Sequence, residues 1–144
     1  MSERLLALVL EYDGQRFSGW QVQPQRRTVQ GEVENALAVL LRHPARVRVA
    51  GRTDAGVHAL AHLCTFRTER DLPCDRILLG LNGILPKDVA VLGVRELSAT
   101  FDARHHTVDK HYRYRVLHRL GRPVLWRQRC WPVRGPLDVD AMQQ

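Results

Sequence analysis

The sequence of 144 residues contains no long hydrophobic run. No apolar stretch approaches the roughly 18 residues that a membrane-spanning helix needs. The apolar segment at residues 5–10 is too short for a signal peptide and runs directly into Glu11 and Asp13. With 44% hydrophobic residues, the chain has enough apolar side chains for one globular domain with a core. We therefore predict a soluble, cytoplasmic protein with no membrane partner.

Cysteines and metal-ligand motifs are also scarce. Cys64, Cys74 and Cys130 are odd in number, lie far apart and form no C-x-x-C pair, which argues against a disulfide framework or a zinc knuckle. His58 and His62 lie four residues apart, but the Glu of a metalloprotease motif and a third ligand in range are missing. The sequence predicts buried or bystander thiols, core or surface histidines and no metal site.

Acidic residues are nearly absent from residues 101–135, which we call the basic segment. It carries nine Lys or Arg residues and two Asp residues, and it therefore accounts for the whole net charge of +7. Such asymmetry is typical of a face that binds a polyanion, with Arg104, Lys110 and Arg113 as candidate contacts. A solvated arginine-rich surface is the alternative interpretation.

Hydrophobic patterning predicts a chain of strands and helices, and we expect an α/β (α+β) fold with a mixed, largely antiparallel sheet and helices on one face. The apolar run at residues 4–12 indicates a central strand buried on both faces, and the polar loop at 13–27 has Trp20 as an apolar anchor. Thr28 is the expected N-cap of the first helix. The predicted helices cover residues 28–42 and 75–85, and the further strands cover residues 46–50, 62–68, 89–97 and 111–118.

The most distinctive motif is G-R-T-D-A-G-V-H at residues 51–58. Gly51 and Gly56 allow sharp turning and close approach of another backbone. Between them lies Asp54, two residues from Arg52, and a nearby guanidinium favours the ionised form of a carboxylate. An ionised Asp in a cleft attacks an electrophilic carbon or stabilises an oxocarbenium-like sugar. An Asp that only caps a turn and pairs with the Arg is the alternative.

The whole motif closely resembles the signature loop of the tRNA pseudouridine synthase A family. Other segments resemble the same family along almost the whole chain. They are E-Y-D-G at 11–14, G-W-Q at 19–21, L-N-G-I-L-P at 81–86, F-D-A-R at 101–104 and Y-R-Y at 112–114.

This resemblance implies a role for three residues. Asp54 matches the family's nucleophile, Arg52 matches the arginine proposed to help flip the target nucleotide, and Tyr112 matches the tyrosine that packs on the target base. The implied reaction converts uridine to pseudouridine in the anticodon arm of tRNA, without metal, cofactor or ATP. The implied partners are tRNA, bound in part by the basic segment, and a second copy of the full-length protein in a homodimer. A non-catalytic tRNA-binding fragment is the alternative.

Members of this family are longer, with a second α/β half that completes the catalytic cleft. Residues 137–144 begin like a helix capped at Asp138 and then stop. We therefore expect residues 1–144 to be the N-terminal α/β half of the pseudouridine synthase domain, with the C-terminal half absent from the chain. A frayed natural C-terminus is the alternative.

Overall fold

The computed structural model describes residues 2–144, which form two compact units, residues 2–108 and residues 109–144. The first unit contains a four-stranded antiparallel sheet in the order β2–β3–β1–β4. Its strands are β1 (Arg4–Tyr12), β2 (Arg48–Val49), β3 (Ala59–Thr68) and β4 (Val89–Leu97). Its helices are α1 (Val29–Leu41), α2 (Cys74–Ile84) and the short α3 (Ala103–His106).

Strand β1 lies inside the sheet, between β3 and β4. Leu6, Leu8 and Leu10 are fully buried in the main core, while Leu5 and Ala7, on the other face of the strand, are each 5% exposed. A strand covered on both faces needs apolar residues at every position, which is why this segment shows little alternation. The prediction of a central strand is confirmed.

The two longer helices pack on one face of the sheet, as predicted. Helix α1 begins after Thr28, whose Oγ1 accepts a hydrogen bond from the Gly31 N–H at 3.2 Å. Both helices direct apolar residues into the core that also contains alternate residues of β1. The buried residues of α1 and α2 are Val29, Val33, Ala36, Leu37, Leu41, Ile77 and Leu81.

Helix α2 is tied to β4 by one amide side chain. Asn82 Nδ2 donates to the Val91 carbonyl at 2.9 Å, and Asn82 Oδ1 accepts from the Val91 N–H at 2.8 Å. The side chain therefore binds both backbone groups of one strand residue. This pairing gives the asparagine of the L-N-G-I-L-P motif a structural role, distinct from chemistry.

The second unit contains two three-residue strands, β5 (Val116–His118) and β6 (Trp131–Val133), which pair in parallel. The predicted strand at 111–118 is wrong over residues 111–115, because β6 offers a partner for only three residues and the ladder begins at Val116. Tyr112 and Tyr114 lie outside regular structure and are 67% and 81% exposed. The final helix, α4 (Val139–Met142), is capped by Asp138, as the sequence predicted.

The three cysteines are free. Cys64 is fully buried, and burial raises the pKa of its thiol, whereas Cys74 and Cys130 are half-buried. Within residues 2–144, no helix is long and apolar enough to cross a membrane. The same residues contain no group of three or more His, Cys, Asp or Glu side chains that could hold a metal ion.

Candidate active site

Two loops meet at one end of the sheet in the first unit. The Trp20 loop (residues 13–27) follows β1, and the Asp54 loop (residues 50–58) precedes β3. Because β1 and β3 are antiparallel and Tyr12 pairs with Ala59, the end of one strand lies beside the start of the other. The sheet register therefore brings together two loops that lie far apart in sequence.

Backbone hydrogen bonds join these loops directly. The Trp20 N–H donates to the Thr53 carbonyl at 3.0 Å, and the Gly56 N–H donates to the Phe17 carbonyl at 3.3 Å. The indole of Trp20 is 2% exposed and packs in the core beneath the loops. Trp20 is thus a core anchor, as predicted, and its own backbone positions the residue before Asp54.

A tight turn begins at Asp54. The Val57 N–H donates to the Asp54 carbonyl at 3.2 Å, and Gly56 has φ +82°, the positive value that the third residue of a type II turn adopts. The backbone carbonyl of Asp54 therefore closes the turn, while its side chain is exposed. The turn needs Asp54 only for its backbone.

The close approach of two backbones occurs at the Trp20 loop. A Cβ added to Gly14 would lie 1.9 Å from the Val57 carbonyl oxygen, so only glycine fits there. The Gly14 N–H also donates to His58 Nδ1 at 3.0 Å. From the sequence we expected close approach of a second backbone at the glycines of the Asp54 loop. In the structure, Gly14 on the facing loop is a residue that must be glycine because the Val57 backbone lies so close.

A chain of side-chain hydrogen bonds supports the Asp54 loop from within. His62 Nε2 lies 2.9 Å from the Gly51 carbonyl, which only accepts, so Nε2 carries the proton. In the neutral ring Nδ1 then accepts from the Tyr12 hydroxyl at 2.9 Å, and Tyr12 in turn accepts from Thr53 Oγ1 at 2.8 Å. These hydrogen bonds fix Gly51 and Thr53, the residues on either side of Arg52.

We expect the Tyr12 and His62 contributions to be coupled. Tyr12→Phe and His62→Leu should each lower the free energy of unfolding by about 1–2 kcal/mol, because each leaves a half-buried polar group without its partner. The double variant should lose less than the sum, by about 0.5 kcal/mol or more, in urea denaturation. His118→Leu, at an exposed position of the second unit, serves as the control. Strictly additive losses would show that the two side chains act independently.

Arg27 fastens the far end of the Trp20 loop. Its guanidinium makes two hydrogen bonds to Asp88, at 2.7 and 2.9 Å, and a third to Glu32 at 3.1 Å. It also lies over the Phe17 ring, 4.1 Å from the centroid. The hydrogen bonds from Arg27 lower the pKa of the Asp88 carboxyl. The loop is therefore held to the start of β4 at neutral pH.

Between the two loops lies a pocket of about 450 Å³, within the range of roughly 300–1,000 Å³ that small-molecule sites occupy. Asp54 and Arg52 both line it and are both exposed. Among residues 2–144, neither side chain has a hydrogen-bond or ion-pair partner. The remaining lining residues are Ser18, Gly19, Trp20, Gln21, Gln23, Arg26, Thr53 and Ala55.

The structure places Arg52 and Asp54 at one pocket, and no ion pair joins these two residues. Tyr112 lies in the second unit, together with Lys110 and Arg113, and all three are exposed. Arg104 is exposed on α3 in the first unit.

The F-D-A-R motif forms the start of α3. Ala103 is 4% exposed, and Asp102 Oδ1 accepts from the Arg104 and His105 N–H groups at 2.8 and 3.1 Å. These bonds from His105 and Arg104 lower the pKa of the Asp102 carboxyl. The motif therefore caps a short helix and leaves the Arg104 side chain in solvent.

Sequence reasoning did not identify Tyr12, His62 or Arg26 as residues of this site. The sequence places Tyr12 at the end of a strand and in the E-Y-D-G segment, and it predicts a core or surface histidine at His62. The roles of Tyr12 and His62 depend on contacts between distant residues. Tyr12 binds Thr53, 41 residues away, and His62, 50 residues away, and no local sequence pattern reveals such contacts.

Comparisons with known proteins agree with the resemblance. The family profile described as tRNA pseudouridine synthase matches residues 8–106. The tRNA pseudouridine synthase A of Myxococcus xanthus is 48% identical over 139 residues, which cover 96% of this chain and 52% of that protein. The tRNA pseudouridine synthase A of Geobacter sulfurreducens is 44% identical over 141 residues, covering 98% of this chain and 58% of that protein.

A third relative, the tRNA pseudouridine synthase A of Methylococcus capsulatus, is 46% identical over 140 residues, covering 96% of this chain and 51% of that protein. The chain spans about half the length of these curated relatives. The family profile, however, covers well over half of this chain and includes both loops of the pocket. The chain belongs to the tRNA pseudouridine synthase family.

Proposed function

We propose that the protein that carries this chain is an isomerase that converts uridine to pseudouridine in the anticodon arm of tRNA, with Asp54 as its nucleophile. The observation that carries the proposal is the unpartnered Asp54 carboxylate, exposed at a pocket beside Arg52 in a chain of this family. A carboxylate that served only to cap a turn would be bound to backbone N–H groups, and this one is bound to none within residues 2–144.

In the proposed reaction the Asp54 carboxylate attacks C1′ of the ribose and the N1–C1′ bond breaks, so that an ester replaces the glycosidic bond. The released uracil turns within the pocket and bonds to C1′ through C5, which displaces the carboxylate. C5 then loses its proton and N1 gains one, so product and substrate have the same composition. The reaction therefore needs no redox partner or energy source.

The target base must leave its stack to reach Asp54, which costs a few kcal/mol and less in a loop. In the proposal Arg52, free of any carboxylate partner in residues 2–144, stabilises the flipped nucleotide through its phosphate. Tyr112 stacks on the base, an interaction worth about 1–3 kcal/mol. Its ring is 67% exposed and so open to a partner.

The finer features of the proposal concern location and assembly. A tRNA substrate places the activity in the cytoplasm, and we propose that the protein acts as a homodimer. Arg104, Lys110 and Arg113 are exposed cations of the basic segment and are assigned to the RNA backbone.

The test is tritium release from tRNA that carries 5-tritiated uridine. We expect the purified protein to release tritium and form an equal amount of pseudouridine, in the presence of EDTA and without added nucleotides. A tRNA with cytidine at the uridine positions of its anticodon arm is the matched control and should release none from that arm. Salt-sensitive tRNA binding without tritium release would contradict the proposal and leave a non-catalytic RNA-binding protein.

A further inference from the structure

We infer that Arg26 is a second cationic contact of the pocket, and that it binds a backbone phosphate of the RNA next to the target nucleotide. The inference rests on the proposed function, because it takes the pocket beside Asp54 as the place where RNA binds. It adds a residue of the Trp20 loop to a site that otherwise depends on Arg52 for positive charge.

The backbone around Arg26 is shaped by a turn. Pro24 and Gln25 occupy its two central positions, and the Arg26 N–H donates to the Gln23 carbonyl at 3.4 Å. Gln25 adopts φ +58°, a left-handed conformation that non-glycine residues seldom adopt. Strained backbone of this kind is retained where the surrounding structure fixes it and is common at binding sites.

The neighbouring Arg27 shows that the two arginines have different roles. Arg27 is bound to Asp88 and Glu32, and its carbonyl accepts from the Ser18 N–H at 2.8 Å. Arg26, the preceding residue, is exposed and lines the pocket, and its side chain has no hydrogen-bond or ion-pair partner among residues 2–144. One arginine therefore holds the loop in place, and the other is left available to a ligand.

The charges of the pocket fit a nucleotide within a polynucleotide. Two arginines, Arg26 and Arg52, line it together with one acidic residue, Asp54. A free guanidinium binds phosphate through two parallel hydrogen bonds. A nucleotide inside an RNA chain has a phosphate on each side of its ribose, so two cations on one pocket match the two phosphates around one flipped nucleotide.

The experiment compares tRNA binding by the intact protein with that of Arg26→Gln, Arg26→Lys and Arg76→Gln. Arg76 is an exposed arginine of α2 that does not line the pocket, so it controls for the loss of one surface charge. We expect Arg26→Gln to weaken binding about tenfold, as the loss of one charge-assisted contact does. The slope of log affinity against log salt should also decrease by about 0.7–0.9, the value for one phosphate.

Arg26→Lys should restore the salt slope, since it retains the charge, and Arg76→Gln should leave affinity and slope unchanged. Arg26→Gln that binds with the affinity and slope of Arg76→Gln overturns the inference, and so does Arg26→Lys that behaves like Arg26→Gln. If the unmodified protein formed no pseudouridine, the proposed function would be refuted instead. That outcome is measured by tritium release, whereas the inference about Arg26 is measured by tRNA binding.

Discussion

Replacement of Asp54 by Ala is expected to reduce pseudouridine formation by at least about 10³-fold, because the variant has no group that can form the ester with C1′. The substitution should leave the fold intact, since the Asp54 side chain is exposed and has no partner in residues 2–144. Binding of tRNA should be equal or tighter, because one negative charge is removed from the pocket. The measurement is tritium release at saturating tRNA, alongside thermal unfolding and tRNA affinity.

Asp71→Ala is the matched control, because Asp71 is also exposed and lies outside the pocket. It should retain full activity. Asp54→Asn keeps the size of the side chain and removes its charge, and it should be as inactive as Asp54→Ala. An Asp54→Ala protein that folds, binds tRNA and still releases tritium at the normal rate would refute the assignment of the nucleophile.

The second large effect is expected for Gly14→Ala, a change of one methyl group. Its Cβ would lie 1.9 Å from the Val57 carbonyl oxygen, which is backbone and cannot swing away. The Trp20 and Asp54 loops would have to separate, with loss of the Gly14 hydrogen bond to His58. We expect the free energy of unfolding to fall by about 3 kcal/mol or more, the upper end of overpacking effects, in urea denaturation.

Gly83→Ala supplies the comparison. Gly83 is an exposed residue of α2, and no atom lies within 4 Å of the position that its Cβ would take. Because Ala is the better helix former, this change should raise the free energy of unfolding by about 0.5–1 kcal/mol. The opposite signs isolate the local contact from the general effect of adding a methyl group. Equal effects at the two positions would contradict the close packing of the two loops.

Much of the fold was predictable because its causes are local. The apolar run of β1 reflects burial on both faces, and Thr28 caps α1 with its own hydroxyl. The position of Asp54 on a glycine-containing loop was also predictable, because Gly56 is needed for the turn that closes over the Asp54 carbonyl. The chemical identity of the site came from the motif and its resemblance, not from periodicity.

The remaining features depend on which distant segments meet. Alternation at residues 111–118 predicted a strand, but a strand also needs a partner of equal length, and β6 provides one for three residues only. The sequence also does not show whether an arginine stabilises the fold or remains available to a ligand. Arg26 and Arg27 are adjacent and chemically identical, and the positions of Asp88, Glu32 and Phe17 distinguish them.

The contacts that join the Asp54 loop to β1 and to the Trp20 loop span a long stretch of chain. Tyr12 and Thr53 are 41 residues apart, and Gly14 and His58 are 44 apart. Contacts of such high contact order form only after the chain has closed a large loop, which delays them in folding. The pocket should therefore appear together with the pairing of β1 and β3, in one cooperative step. A short peptide with the sequence of the Asp54 loop would lack the pocket.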